Sequence, residues 1–240
     1  MIDFCLIEMS EALEKVKGIT QLPLFPLPLV LLPIETLPLH IFEPRYRQLL
    51  EDVNASDKLF GVHYFEPKEE FDDRPPIGSV GCVAEVRDVQ EMPDGRSNIL
   101  TSGVVRYRLL NYVESDAPYL VGEVEFFEDL HDNPEEELKV ADNVFELFQR
   151  IAKAAFKMSG TRGRFPEIER TDPEPMSFLV TAAFSLDNEK KYKLLEMTST
   201  TKRLRRLRKI LTGAADQMEA SAEIHEISRV NGHSNKKLDL

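Results

Sequence analysis

The spacing of apolar and polar residues changes near residue 130, and this change predicts two structural halves. Strand-like patterns, with short apolar runs or alternating apolar and polar positions, occur at 58–65, 79–90, 98–113 and 119–129. After residue 130, apolar positions recur every three or four residues, as in amphipathic helices. We therefore expect a mostly antiparallel β region over 20–129 and a helical region over 130–228.

The helical half carries clear start signals. Asn133 is suited to cap the first long helix, with Pro134 at its first position and three glutamates in its first turn. The expected buried face of this helix comprises Leu138, Ala141, Val144, Phe145, Phe148, Ile151, Ala152 and Ala155. Further helices are predicted at 172–186, from Asp187 onward, and from residue 200 to about 228.

Residues 22–44 are apolar but contain six prolines, so they cannot form a long helix. We expect extended segments instead, with residues 29–33 as a strand buried on both faces. A short helix should start at Pro44 and end within residues 54–57. Its apolar side comprises Tyr46, Leu49, Leu50 and Val53. Farther on, Pro93-Asp94-Gly95 predicts a hairpin turn between two strands.

Composition restricts the class of protein. The chain has 240 residues, 42% of them hydrophobic, and a formal net charge of −12, which argues against a general attraction to nucleic acid or to anionic membranes. Two distant cysteines, Cys5 and Cys82, form no CxxC pair, so we expect a reducing, cytoplasmic location. Neither a signal peptide nor a membrane span is predicted. Met9 is a second candidate start, and we place no function in the residues before it.

Motifs of known enzyme chemistry are missing from the sequence. No glycine is followed by lysine, so there is no Walker A loop, and GxGxxG, GxSxG and HExxH are also absent. The five histidines do not show metal-ligand spacing. We therefore predict no catalytic residue, no bound metal and no cofactor.

Two charged segments each allow two interpretations. Residues 123–137 hold eight acids and no Lys or Arg, which fits a solvated strand edge and helix start or a patch for a basic partner. Residues 200–211 hold six basic residues, Lys202–Lys209, around the apolar stripe Leu204, Leu207 and Leu211. This pattern favours the charged outer face of a bundle helix, paired with the acidic segment. The alternative is contact with RNA or a membrane surface.

Several motifs, in order along the chain, resemble the family of Lon protease N-terminal, substrate-binding domains. The segment "PLFPL" at 23–27 and the segment "PLHIFEPRY" at 38–46 match the family signature, although Ile34 stands where a glycine is common. "SVGCVAEV" at 79–86 and "GVVRYRLL" at 103–110 resemble two later strands, and residues 177–211 resemble the helical part. The resemblance covers roughly residues 20–212.

The resemblance implies an α+β fold, with a bent antiparallel β pseudo-barrel and one short helix, followed by an α-helical bundle. The prolines of residues 22–44 are compatible with such a fold, because strands tolerate proline at their starts, at sheet edges and at corners. With the pattern of the chain, it implies an N-terminal extension (1–19), a β-rich subdomain (20–129), a helical subdomain (130–228) and a disordered tail (229–240). The ATPase and protease domains of full Lon enzymes have no counterpart here, so we expect a stand-alone, non-catalytic protein of this family.

The resemblance also implies a function. We expect a module that binds unfolded or degron-bearing polypeptide, as an adaptor or holdase linked to proteolysis, with a protease as a further partner. The alternative is a scaffold that docks one folded protein. Candidate residues for a peptide groove are Phe42, Tyr46, Phe60 and Phe65, which would offer apolar pockets beside a sheet edge.

Overall fold

The computed structural model describes residues 10–67, 73–130, 133–159, 161 and 163–231, with backbone only for 226–231. The chain divides into two compact units. The strand unit comprises Met1–Asp129 and Thr181–Thr198, and the helical unit comprises Leu130–Val180 and Ser199–Leu240. The strand unit thus includes Thr181–Thr198, a segment that we predicted to be part of the helical region. The expected tail lies outside the described residues from position 232 onward.

The predicted α+β fold is confirmed, and most predicted elements are present. In chain order the elements are α1 (Glu11–Lys15), β1 (Gln21–Leu27), β2 (Thr36–Ile41), α2 (Pro44–Asn54), β3 (Leu59–Tyr64), β4 (Val80–Glu91), β5 (Ser97–Val113), β6 (Leu120–Phe127), α3 (Pro134–Met158), α4 (Pro173–Ala183), α5 (Asn188–Leu195) and α6 (Thr200–Asn231). Gly95, at φ 79°, closes the predicted hairpin between β4 and β5, and Asp187 caps α5.

The six strands form a sheet that closes on itself. Their order is β2-β5-β4-β3-β1-β6, and β5 also pairs with β6. The long β5 makes this closure possible because it changes partner along its length, from β2 at Ser97–Ser102 to β6 at Arg106–Val113. Bulges in β4 and β5 bend the strands. All pairings are antiparallel except that of β1 with β3.

Two apolar clusters fill the strand unit. One lies between the sheet and α2, whose predicted apolar side of Tyr46, Leu49, Leu50 and Val53 is buried as expected. The other surrounds Tyr107 on β5. Added Cβ atoms at Gly61 and Gly81 would overlap the Tyr107 ring, so these two glycines leave the space that the ring occupies.

Prolines occur inside β1, a strand with neighbours on both sides. The strand is paired in two halves, because Gln21–Leu24 pair with β6 and Leu24–Leu27 pair with β3. Pro23 and Pro26 therefore each lie where β1 has only one partner, and a missing N–H leaves no gap in a second ladder.

The prediction of a strand at residues 29–33 is wrong, although Val30, Leu31 and Leu32 are buried as expected. Prolines at both ends of this segment remove backbone donors, and the segment forms an irregular loop. The Glu35 side chain accepts from the Leu32 N–H at 3.0 Å, and Gly103 on β5 exchanges backbone hydrogen bonds with Ile34 and Glu35. The loop passes so close that a Cβ at Gly103 would overlap the Leu32 carbonyl.

Ile34 has a φ of 61°, in the left-handed region that a β-branched residue rarely adopts. We expect Ile34→Gly to raise the free energy of unfolding by about 0.5–1 kcal/mol. Removing a left-handed strain of about 1–2 kcal/mol outweighs the extra chain entropy of glycine in the unfolded state. The chain has no tryptophan and all six tyrosines lie in the strand unit, so tyrosine fluorescence in urea reports this unit alone.

A matched control for this prediction is Ile77→Gly. Ile77 is also an exposed isoleucine, and it lies in a turn where the backbone does not have a positive φ. Glycine there should lower the free energy of unfolding by about 0.5–1 kcal/mol. If both variants were destabilised to the same degree, the conformation of Ile34 would not be strained.

In the helical unit, α3 packs against α6, but the buried face of α3 differs from the prediction. The buried residues are Val140, Ala141, Val144, Leu147, Ile151 and Ala154, whereas Leu138 is 48% exposed. Asn133 caps the helix as predicted, accepting from the Glu135 and Glu136 N–H groups. On α6 the stripe of Leu204, Leu207 and Leu211 is buried, and Arg205 pairs with Glu136 of the acidic segment.

Candidate functional site

A cleft of about 830 Å³ opens on the surface of the strand unit. Its walls come from the end of β1, the start of α2, the residues on either side of 68–72, the end of β5 and the loop that leads into β6. Side chains in these walls that can contact a ligand are Arg45, Tyr46, Phe65, Arg74, Ile77, Asn111, Tyr112 and Tyr119. The cleft is therefore lined by aromatic rings, one exposed isoleucine and several hydrogen-bonding groups.

The four predicted groove residues fall into three different environments. Tyr46 and Phe65 line the cleft, but Tyr46 is only 6% exposed and belongs mainly to the core beneath α2. Phe42 is 56% exposed but lies outside the cleft lining, beside the His40 ring. Phe60 is completely buried in the cluster beneath α2 and is not accessible to a ligand. Strand β3 is buried on both faces from Leu59 to His63, so the Phe60 side chain has no route to solvent on either face.

Tyrosines and arginines form stacked pairs on the cleft walls. The Arg45 guanidinium lies 4.6 Å from the centre of the Tyr46 ring, and the Arg74 guanidinium lies 4.6 Å from that of Tyr112. Each arginine also has an acidic neighbour: Arg45 contacts Glu43 at 2.9 Å and Arg74 contacts Asp73 at 3.7 Å. Their positive charges are thus largely compensated within the protein.

Tyr112 and one further tyrosine, Tyr119, are held by hydrogen bonds. The Tyr112 hydroxyl donates to the Pro75 carbonyl at 2.6 Å, and the Tyr119 hydroxyl donates to Asp52 Oδ2 at 2.6 Å. Burial raises the pKa of Tyr112 to about 12, and burial together with the Asp52 hydrogen bond raises the pKa of Tyr119 to about 12. Both tyrosines are neutral at physiological pH, and their rings form firm apolar walls.

The turn that carries Ile77 is connected to a buried histidine. His63 is completely buried, with Nε2 2.7 Å from Ser79 Oγ and Nδ1 3.1 Å from the Tyr107 hydroxyl. The Ser79 hydroxyl donates its only proton to the Pro76 carbonyl. We therefore assign the Nε2–H tautomer, in which His63 donates to Ser79 and accepts from Tyr107.

This Ser79–His63 pair is not arranged for nucleophilic catalysis. A serine nucleophile needs a histidine that accepts its proton, whereas here the imidazole donates to the serine oxygen. Burial also lowers the pKa of His63 to about 4, so the imidazole is a poor base. The pair anchors the turn at residues 76–79 to the core.

The strand motif at 103–110 has a structural role. Arg106 is buried, with its guanidinium 2.5 Å from Asp129 Oδ1, and it also donates to the Leu195 and Met197 carbonyls at 3.2 and 2.5 Å. It thereby ties β5 to the end of α5. Gly103 admits the loop before β2, while Tyr107 and Leu109 fill the core.

Sequence reasoning did not identify Ile77, Tyr112 or Tyr119 as cleft residues. They lie on separate segments that only the closure of the sheet brings together, and turn residues such as Ile77 carry no periodic signal.

Within the described part of the chain, no cluster of three or more His, Cys, Asp or Glu residues could hold a metal ion. None of the helices that the structure describes has the length and apolar character needed to cross a membrane.

Comparison with known proteins gives consistent results. The family described as "ATP-dependent protease La (LON) substrate-binding domain" matches residues 21–213. Lon protease 2 of Herpetosiphon aurantiacus is 23% identical over 218 residues, which cover 89% of this chain and 26% of that protein. The chain thus spans about a quarter of the length of the curated relatives it matches.

Solved structures are similar over most of the chain. The crystal structure of a Lon N-terminal domain protein from Xanthomonas campestris has a TM-score of 0.57 and 26% identity, covering 79% of this chain and 97% of that one. The N-terminal domain of Mycobacterium avium complex Lon protease has a TM-score of 0.60 and 20% identity, covering 80% and 98%. The second likeness supports the fold.

Proposed function

Because the chain belongs to the family of Lon substrate-binding domains, we propose that its cleft binds unfolded or degron-bearing polypeptide, in the manner of an adaptor or holdase linked to proteolysis. The observation that carries this proposal is the cleft itself, which combines aromatic walls with an exposed isoleucine. A protein ligand without defined tertiary structure can place single side chains into such a cleft.

The chemistry of the cleft supports binding rather than reaction. Tyr112 and Tyr119 are neutral, and the two arginines are paired with acids. In the nearby Ser79–His63 pair the imidazole donates to the serine oxygen, so it does not accept the proton of a serine nucleophile. We propose that the chain acts without catalysis, and in the cytoplasm, where its cysteines stay reduced.

We expect Ile77→Ser to weaken binding of an unfolded client about tenfold. Ile77 is 59% exposed in the cleft, and a client that covers it gains roughly 1.5 kcal/mol of apolar burial, which serine forfeits. The measurement is a titration of fluorescently labelled, permanently unfolded α-lactalbumin with the protein, without nucleotide, with folded α-lactalbumin as the negative control.

Phe42→Ala is the matched variant, because it also removes an exposed apolar side chain but lies outside the cleft lining. It should leave affinity unchanged within about twofold. A loss with Phe42→Ala and none with Ile77→Ser would move the binding site to the surface around Phe42. No binding of unfolded clients by the unmodified protein would favour the alternative of a scaffold for one folded partner.

A further inference from the structure

The cleft contains an unpaired strand edge. The Leu109 N–H and C=O form backbone hydrogen bonds with Ser79 and Gly78, and beyond Leu109 the described residues form no backbone hydrogen bond with this side of β5. On the opposite side, β5 continues to pair with β6 as far as Val113. Among the described residues, the last residues of β5 thus have one partner strand and one open side, which faces the cleft that Asn111, Tyr112 and Val113 line.

A side chain occupies the hydrogen-bonding position that a partner strand would take. The Tyr112 N–H donates to the Asn111 side-chain oxygen at 2.9 Å. Because backbone groups of a strand alternate between its two sides, this N–H points away from β6 and toward the open edge. An Asn side chain that caps its neighbour is easily displaced, and the freed N–H and the Tyr112 carbonyl can pair with an added strand.

The strand unit, which contains the cleft, carries a net negative charge. The strand unit contains 14 Lys and Arg against 27 Asp and Glu, a net charge of −13, whereas the helical unit contains 16 against 15 and is nearly neutral. Asp73 and Glu114 line the cleft, and Glu66 and Asp116 are exposed next to lining residues. Arg45 and Arg74 are compensated by Glu43 and Asp73, so the local excess of negative charge comes from Glu66, Glu114 and Asp116, and it favours a positively charged ligand.

We propose that the ligand of this cleft is an extended, basic polypeptide segment that adds as a strand to the β5 edge at Tyr112, with its apolar side chains against Phe65 and Ile77. This inference rests on the proposed function and narrows its substrate class. The cleft would then select polypeptide segments by their charge. Segments in which Lys or Arg flank the apolar residues bind to it, and acidic segments do not.

The first test uses a labelled nine-residue peptide with alternating Leu and Thr and two Lys at each end, titrated into the full chain at low salt. Its counterpart carries Glu in place of Lys. We expect the basic peptide to bind at least about tenfold more tightly, with a difference that shrinks as salt is added. Equal affinities, or tighter binding of the acidic peptide, would overturn the charge assignment.

The second test examines strand addition. N-methylation of the peptide backbone at every second residue removes the donors on one side, so one methylated set should lose about tenfold in affinity and the other should bind nearly as the parent does. If neither set differed from the parent peptide, backbone pairing would be wrong. If unfolded α-lactalbumin still bound in that case, the proposed function would stand without this inference.

Matched double variants locate the charge effect. Asp73→Asn with Glu114→Gln removes two acids from the cleft lining and should reduce the preference for the basic peptide about fivefold. Asp88→Asn with Glu91→Gln removes two exposed acids of β4 that do not line the cleft, and should change the preference less than about twofold. Equal effects of the two double variants would attribute the preference to overall charge and contradict a cleft site.

Discussion

Replacing Arg106 by methionine is expected to lower the free energy of unfolding of the strand unit by about 4 kcal/mol. The side chain is 1% exposed, and its loss removes the positive charge that lies against the Asp129 carboxylate, which is 4% exposed. The carbonyls of Leu195 and Met197 also lose a donor. Removing one member of a buried pair is costly because the remaining charge stays in a medium of low polarity. Urea unfolding followed by tyrosine fluorescence measures this loss.

Two further variants separate the buried pair from a general effect of losing an arginine. Arg87→Met removes an exposed arginine that pairs with Glu85, and it should lower the free energy of unfolding by no more than about 1 kcal/mol. Combining Arg106→Met with Asp129→Asn should be at least about 1.5 kcal/mol less destabilising than the sum of the two single variants, because the double variant removes both charges of the buried pair. A loss for Arg106→Met no larger than that for Arg87→Met would show that the buried pair contributes little.

Acidification from pH 7.5 to 4 is expected to remove about 3 kcal/mol of stability through His63 alone. Burial lowers its pKa to about 4 in the folded chain, against about 6.5 in the unfolded chain. Above pH 6.5 both states are neutral at this residue and the contribution is complete. Between pH 6.5 and 4 the unfolded state gains a proton that the folded state does not, so stability falls by about 1.4 kcal/mol per pH unit.

The measurement compares the free energy of unfolding of the wild type and His63→Gln across this pH range. Glutamine keeps a donor for Ser79 but does not titrate, so the advantage of the wild type at pH 7.5 should shrink by about 3 kcal/mol at pH 4. Carboxylates shared by both proteins cancel in the difference. Parallel curves for the wild type and His63→Gln would contradict the assignment.

The position of His63 also links pH to the cleft. Its Nε2–H holds Ser79, and Ser79 holds Pro76 in the turn that carries Ile77. A fall in pH that destabilises the strand unit will therefore act on one wall of the cleft as well as on the core. Binding assays at neutral pH avoid this coupling.

Local chemistry in the sequence was enough to predict most elements. The Asn133 and Asp187 caps, Pro44 at a helix start and the turn at Gly95 all occur where the sequence predicted them, because each depends on neighbours a few residues away. The α+β fold and the family also followed from the sequence, since alternation, helical periodicity and ordered motifs extend over most of the chain.

Predictions failed where a distant partner decides. The loop at residues 29–33 has the burial of a strand without its ladder, because prolines flank it and the Leu32 N–H and C=O bond to the Glu35 side chain and N–H. The buried face of α3 is set by packing against α6, and the chain offers apolar residues on two adjacent faces. Ile34 looked like a minor departure, yet its φ of 61° shows why a glycine suits this position.

The sequence by itself determined the fold class, the main helix boundaries and the family, because these follow from short-range preferences and from motifs that are readable in order. Only the tertiary structure decided where each candidate aromatic residue lies: Phe65 lines a cleft, Tyr46 lies at its wall but is 6% exposed, Phe42 lies outside it and Phe60 is in the core. The closure of β5 onto β6 gathers Ile77, Tyr112 and Tyr119 from separate segments. These three residues are close together because strands that are distant in sequence pair with each other. The spacing of residues along the chain does not reveal that pairing.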